Sequence, residues 1–307
     1  MKKYIIWASV SVLLLLGLFS SCDKVSNPYP AKNVNVGDTS TCPTPSFVPI
    51  TSHTKKILIE DFTGHTCPNC PKAARRLNII DTTYPGRIIG LGLHVSSFAL
   101  PSPGYNGSPQ TAYLNDYRTS VGDIYDAFFG PSAQGLPKGM INRKDYNAVT
   151  KTHLKSYADW QTYVASIINE PSVVDLQMHI DYNSSSRKIC LGVKDSFLTT
   201  LSGDYKLCAL LVQDSIIDWQ DNIGVSQPDY LHRHVLRDAI TPTGAWGENL
   251  IATSVVAGST HLRKYAYTVP ASYNGIPCDI EQCHIIAFIY NTATYEIIQS
   301  EEIKVLE

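Results

Sequence analysis

The sequence predicts an α/β domain followed by an all-β antiparallel sandwich. Two patterns support this. Between 56 and 170 strand-like and helix-like apolar periods alternate, and after Pro171 the period drops to two and stays there. A third observation gives the first half a chemistry: Cys67-Pro-Asn-Cys70 follows the apolar run Ile57-Leu-Ile59 and opens a helical pattern at Lys72. Two thiols spaced by two residues at a strand-to-helix turn are what dithiol–disulfide exchange needs, since the helix dipole favours a thiolate at its start.

The chain opens with Lys2 and Lys3, an apolar stretch from Ile5 to Leu18, and Phe19-Ser-Ser21 just before Cys22. Residues 1–21 therefore read as a lipoprotein signal, with Cys22 as the lipidated first residue. The apolar stretch is short for a span of ~20 residues; an ordinary signal peptide or an uncleaved anchor is the alternative. Residues 22–49, rich in Pro, Asn, Ser and Thr, read as a flexible tether. What remains is long enough for two cores: 50–170, with an insertion at about 96–135, and 171–307.

In the first half the expected order is strand 56–62, the cysteine pair, helix 71–82, strand 87–95, the Ser/Pro/Gly-rich stretch 96–109, and a helix over about 110–129. Gly135-Leu-Pro137 then introduces a strand from Gly139 to Arg143, and Trp160, Val164, Ile167 and Ile168 mark a last helix. Beyond Pro171, alternating runs at 174–180, 189–193, 205–213, 263–269, 284–290 and 295–305 read as sandwich strands of an immunoglobulin-like kind.

A formal charge of −2 with scattered basic residues gives no reason to expect nucleic acid as a partner. Eight cysteines in an exported chain point to an oxidising compartment. Cys67, nearest the helix start, is the expected nucleophile and Cys70 the resolving thiol. A purely structural Cys67–Cys70 bridge, or a zinc site completed by Cys278 and Cys283, are the competing readings. Cys190 and Cys208 fall opposite each other if their strands form a symmetric hairpin, and Cys278 and Cys283 bracket a short loop, so both pairs are structural disulfide candidates. Cys42 has no obvious partner. His65 reads as a surface residue, and His232 and His234 as part of a structural loop rather than a metal site. No cofactor, no metal, no glycine-rich phosphate loop and no hydrolytic triad are expected.

Two resemblances follow from these residues. Ile57 to Phe62, Cys67-Pro-Asn-Cys70 and Gly-Leu-Pro137 before a strand ending Ile141-Asn-Arg143 resemble thioredoxin-fold proteins over about 55–170. That resemblance implies a cis Pro137 beside the dithiol and a buried acid, Asp61, exchanging a proton with Cys70; Glu60 competes for that role because adjacent strand residues face opposite ways. Pro-Asn between the cysteines matches neither reducing thioredoxins nor periplasmic disulfide donors, so no redox direction carries over. Glu60-Asp-Phe-Thr-Gly64, His232-Arg-His234-Val-Leu-Arg237-Asp238 and Gly244-Ala-Trp-Gly247 together resemble the outer-membrane-protein-twenty-eight lipoproteins. This implies an outer-membrane lipoprotein of the cell envelope, face undetermined, reaching the membrane through lipid and with a surface ligand as partner; the dithiol motif instead points to exported protein thiols or disulfides as partners.

Overall fold

The computed structural model describes residues 37–306. The signal segment, Cys22 and the first part of the tether lie outside the described residues.

The first half contributes strands β1 (Ile57–Thr63), β2 (Ile88–His94) and β3 (Lys138–Ile141), with helices α1 (Cys70–Thr83), α2 (Ser120–Phe129) and α3 (Trp160–Ile167). The second half is built from β4 (Val174–Asn183), β5 (Lys188–Phe197), β6 (Leu201–Ser202), β7 (Tyr205–Gln213), β8 (Ile216–Asn222), β9 (Val225–His232) and β10 (Val235–Ala239). It continues through β11 (Glu248–Ile251), β12 (Ser254–Val255), β13 (Thr260–Thr268), β14 (Ser272–Tyr273), β15 (Ile276–Pro277), β16 (Cys283–Asn291) and β17 (Ile297–Lys304). The protein is mostly β, with mixed and antiparallel sheets and few helices.

One sheet runs through both halves. Its order is β17-β16-β7-β10-β2-β1-β3, with β11 also paired to β7. The join is slender: parallel β10 meets β2 through the single pair Val235↔Gly92, reinforced by Gly92 N–H donating to the His234 carbonyl at 2.7 Å. The division expected at 170/171 is therefore a change of period within a shared sheet, not a break between sheets.

Three cores follow from strand alternation. Ile57 and Ile59 of β1 face Ala73, Leu77 and Ile80 of α1 and Trp160, Val164 and Ile167 of α3. Leu58 and Phe62, on the opposite face, pack with Val121, Tyr125 and Phe129 of α2. Behind β7 and β16, the three-stranded sheet β13-β5-β4 closes an antiparallel sandwich over Leu207, Ala209, Leu211, Ile285 and Ala287. Each Leu or Ile among them contributes about 1.5–3 kcal/mol on full burial.

Three expectations are corrected here. The helix expected over 110–129 is regular only from Ser120, because Tyr113 sits at φ +55° and breaks the pattern before it. Residues 37–49, expected as tether, include contacts to the three-stranded sheet: Gly37 N–H bonds to the Ala266 carbonyl and Cys42 is disulfide-bonded to Cys190. That bond also overturns the Cys190–Cys208 pairing. β5 and β7 belong to different sheets, and Cys208 is a buried free thiol on the α2 face.

Gly139 shows how tightly the first half is locked. It pairs with Asp61, and a Cβ there would lie 2.3 Å from the Trp160 ring and 2.9 Å from the Glu60 carbonyl oxygen. Gly139→Ala should lower stability by about 1–3 kcal/mol or more through overpacking. The check is the urea midpoint, and a midpoint equal to the parent's would refute the packing account.

Candidate functional site

The site grows out of the end of β1. After Thr63 the chain passes so close beneath the Phe98 backbone that a Cβ on Gly64 would lie 2.5 Å from the Phe98 carbonyl oxygen. Thr66 N–H then bonds to that carbonyl and Cys67 N–H returns to Gly64, forming a tight turn. Asn69 is the N-cap of α1 and Pro71 occupies the first turn, where its missing N–H is harmless. Pro68 precedes the cap. Cys67 and Cys70 are joined by a disulfide with Cα atoms 5.5 Å apart. The Leu136–Pro137 peptide is cis, and Pro137 directly precedes Lys138, the register partner of Phe62, so it lies at the dithiol end of β1.

Both cysteines are covered, Cys67 to 2% exposure and Cys70 to 3%. The cover is the β8–β9 hairpin, which the sequence reading passed over. Gln220 Nε2 donates to the carbonyls of Cys67 at 3.1 Å and Gly64 at 3.3 Å. Asp221 N–H bonds to the His65 carbonyl, and Ile223 N–H to that of Pro68. From the insertion, the Tyr105 hydroxyl lies 3.0 Å from both the Thr66 carbonyl and the Asp221 carboxylate. Asn115 and Tyr117 both donate to Asp218 at 2.7 Å. Apolar and aromatic packing joins these hydrogen bonds: Ile216 lies in a buried cluster with Ala99 and Tyr117, and the Trp219 ring packs on Tyr113. The local sequence signal for the hairpin is Gly224 alone: the turn residues are Ile223 and Gly224, both at positive φ, and a β-branched Ile does not announce such a turn.

Beside the dithiol lies a cleft of about 950 Å³, lined among others by Asp61, Cys70, Arg75, His94, Gln220 and His232. The β1 pleat separates the two candidate acids. Glu60 turns to the α2 face and makes a fully buried bidentate pair with Arg143, at 2.8 and 2.6 Å. Asp61 turns toward α1, its Oδ1 is buried without a hydrogen-bond partner, and burial pushes its carboxyl up to about 8. A carboxyl of that kind is mostly protonated at neutral pH, which suits giving a proton to a leaving thiolate.

Around it the histidines are buried rather than exposed. His65, expected at the surface, is fully buried, with Nε2 2.9 Å from the Leu100 carbonyl. His94 and His232 lie 5.6 Å apart between ring centroids, and Tyr117 packs against both. Burial holds His94 well below the usual imidazole range and pushes His232 down to about 4, so both are neutral at neutral pH. His234 instead lies outside β9 at φ +54°, so the two motif histidines do not share a strand face. Among the described residues no three His, Cys, Asp or Glu side chains come together as metal ligands.

Cys278 and Cys283 are not bonded to each other; their sulfurs stand 3.5 Å apart as two buried thiols. The structural disulfide expected there is corrected accordingly. Cys278 lies just beyond β15 while Cys283 is the first residue of β16, in register with Gln213.

Comparison with known proteins adds the following. The family described as outer membrane protein Omp28 matches residues 123–307. HBP35 of Porphyromonas gingivalis is similar in structure, with a TM-score of 0.59 at 14% identity, over 83% of this chain and 76% of that one. A domain of the outer membrane lipoprotein Omp28 from the same organism aligns at 23% identity and a TM-score of 0.31, over 44% of this chain and 89% of that one. No curated protein matches the chain.

Proposed function

Because this chain belongs to the Omp28 outer-membrane-protein family, and so resides in the outer membrane of the cell envelope, we propose that it is a lipid-anchored thiol–disulfide oxidoreductase. It acts on exported proteins through Cys67 and Cys70 in a thioredoxin-like setting, with Cys22 carrying the lipid. The observation that carries this reading is the placement of Asp61, a buried carboxyl without a hydrogen-bond partner on one oxygen, on the same cleft as Cys70 at the start of α1.

The chemistry follows from the disulfide at Cys67–Cys70. A client thiolate attacks Cys67 Sγ, the Cys67–Cys70 bond breaks, and Cys70 leaves as a thiolate that takes the Asp61 proton. A second client thiolate attacks the client sulfur of the mixed disulfide and expels Cys67. The client ends oxidised and the protein reduced; the reverse sequence reduces a client, and the redox partner sets the direction. Pro137, at the same end of β1, lacks an N–H that would compete for the sulfur. Access to Cys67 requires the β8–β9 hairpin to swing aside, a local opening that breaks the hydrogen bonds of Gln220, Asp221 and Ile223 over the turn.

Dithiothreitol-driven reduction of insulin, with the full mature chain as catalyst, tests this. Cys67→Ser should fall to background. Gln220→Ala removes hairpin hydrogen bonds worth about 0.5–1.5 kcal/mol each and should raise the rate roughly tenfold. Activity unchanged in Cys67→Ser would end the proposal.

A second reading has its own observation. Ile217 and Val225 on the outer hairpin surface are about two-thirds exposed, at 68% and 66%, and Ile223 at the turn is 59% exposed. Such a patch suits a binding or adhesion module whose dithiol is a locked plug. A native Cys67–Cys70 bond that survives excess dithiothreitol would favour it.

A further inference from the structure

We propose that Cys278 and Cys283 form a second redox couple, a thiol pair that cycles to a disulfide by exchange with small-molecule disulfides, seated at the hinge of the β8–β9 hairpin. The couple does not depend on the chemistry of Cys67 and Cys70.

The sulfurs are already in contact at 3.5 Å, so closing a bond of about 2.05 Å needs a shift of roughly 1.5 Å. Cys283 is held in β16 by its pairing with Gln213, and Cys278, just past β14–β15, bonds its N–H to the Ala271 carbonyl, so closure draws that loop with it.

The pair also has a charge environment that a packed apolar pair lacks. Arg237 is 4% exposed, and its Nε is buried without a hydrogen-bond partner. Among the described residues no carboxylate pairs with it. Its only direct hydrogen bond is from Nη2 to the Ile276 carbonyl, and its guanidinium lies over the Tyr273 ring. Arg187 reaches the same loop, donating to the Cys278 carbonyl at 2.9 Å. A buried cation without a counter-ion is costly, and a thiolate beside it offsets that cost. The Cys283 thiol, hydrogen-bonded to Cys278, holds the Cys278 thiol below its usual range, against the effect of burial, and Arg237 and Arg187 add to this. Reactive thiols occur in electropositive surroundings; Cys278 and Cys283 are buried against the sandwich core, so exchange requires the β14–β15 loop to open.

Cys278 thiolate attacks one sulfur of a small disulfide and expels one thiolate, leaving a mixed disulfide on Cys278. Cys283, giving its proton to solvent, attacks Cys278 Sγ and expels the second thiolate. One protein disulfide forms, one small disulfide is reduced, and the two expelled thiolates take up the two protons.

The position gives the couple something to act on. Asp214 N–H bonds to the Gln282 carbonyl, and the Asp214 carboxylate accepts from His234 N–H. Those two residues flank the hairpin at its base. Ile276, two residues from Cys278, packs with Ile216 and Val235 on either side of the same base. Drawing Cys278 toward β16 therefore moves the packing at the hairpin hinge.

The full mature chain carrying Cys67→Ser and Cys70→Ser is equilibrated in graded mixtures of reduced and oxidised glutathione, acid-quenched, alkylated and digested. The Cys278 and Cys283 peptides are then read by mass spectrometry. The wild-type chain is run in parallel, since the peptides are resolved individually. The expected result is a single transition between dithiol and Cys278–Cys283 disulfide within the glutathione series. In Arg237→Met, loss of thiolate stabilisation should move that transition about tenfold toward more reducing mixtures; Arg187→Met should move it the same way and serves if the first variant does not fold. A disulfide that persists in every mixture, or thiols that never oxidise, overturns the proposal. A failure here with Cys67 activity intact leaves the first site untouched.

Discussion

Arg143→Met is expected to lower stability by about 3–5 kcal/mol, the usual effect of breaking a buried ion pair from one side. Arg143 and Glu60 have fully buried side chains and meet through two parallel hydrogen bonds. The guanidinium also lies 4.5 Å from the Tyr125 ring centroid and 5.0 Å from those of Phe129 and Phe288. Methionine keeps much of the volume against those rings but leaves the Glu60 carboxylate without a counter-charge in an apolar core. Adding Glu60→Met removes the stranded charge, so the double variant should recover most of the loss. Urea unfolding of parent, single and double variants decides it. A single variant within about 1 kcal/mol of the parent would show the pair to be idle.

Asp61→Asn is expected to change how stability depends on pH. The carboxyl is pushed from 3.8 in the unfolded chain to about 8 in the fold, by burial. Below about pH 4 it is protonated in both states and asks nothing of the fold. Between 4 and 8 the unfolded chain ionises while the folded one does not, so stability is lost steadily as pH rises, and the loss levels off above 8. At roughly 1.4 kcal/mol per pKa unit the full effect is on the order of 5 kcal/mol. Asn cannot ionise, so the oxidised Asn variant should gain on the oxidised parent across that window and by a constant amount beyond it. Urea midpoints at pH 4, 6, 8 and 9 test this; a parent–variant difference that does not change with pH would refute the raised carboxyl.

The strands were legible where the apolar pattern was strong. β4 lies close to its expected span because apolar residues alternate there, and β2, β7 and β16 do so because they are near-continuous apolar runs buried on both faces. Cys67, Cys70 and Asp61 stood out by residue type and spacing, and all three lie around the β1–α1 turn. What escaped was long-range. Nothing local in Val235 says that it pairs with Gly92, and the two halves therefore looked separable. Cys190 and Cys208 looked like partners under a hairpin between β5 and β7, but β5 pairs with β4 and β13 instead. The β8–β9 hairpin was missed because its outer positions carry Ile217, Val225 and Leu231 and blur the alternation. That omission hid the cover over the dithiol.

The Cys42–Cys190 bond links positions 148 residues apart. In the chain-entropy picture such a long loop contributes on the order of 5 kcal/mol by restricting the unfolded chain. Mechanically, a load entering from the N-terminal side meets the β13-β5-β4 layer at a covalent stitch before it reaches the hydrogen bonds of β1. A protein pulled through its leading end would thus pass the force to β5, the central strand of that layer, and the redox turn downstream would be shielded from the tug.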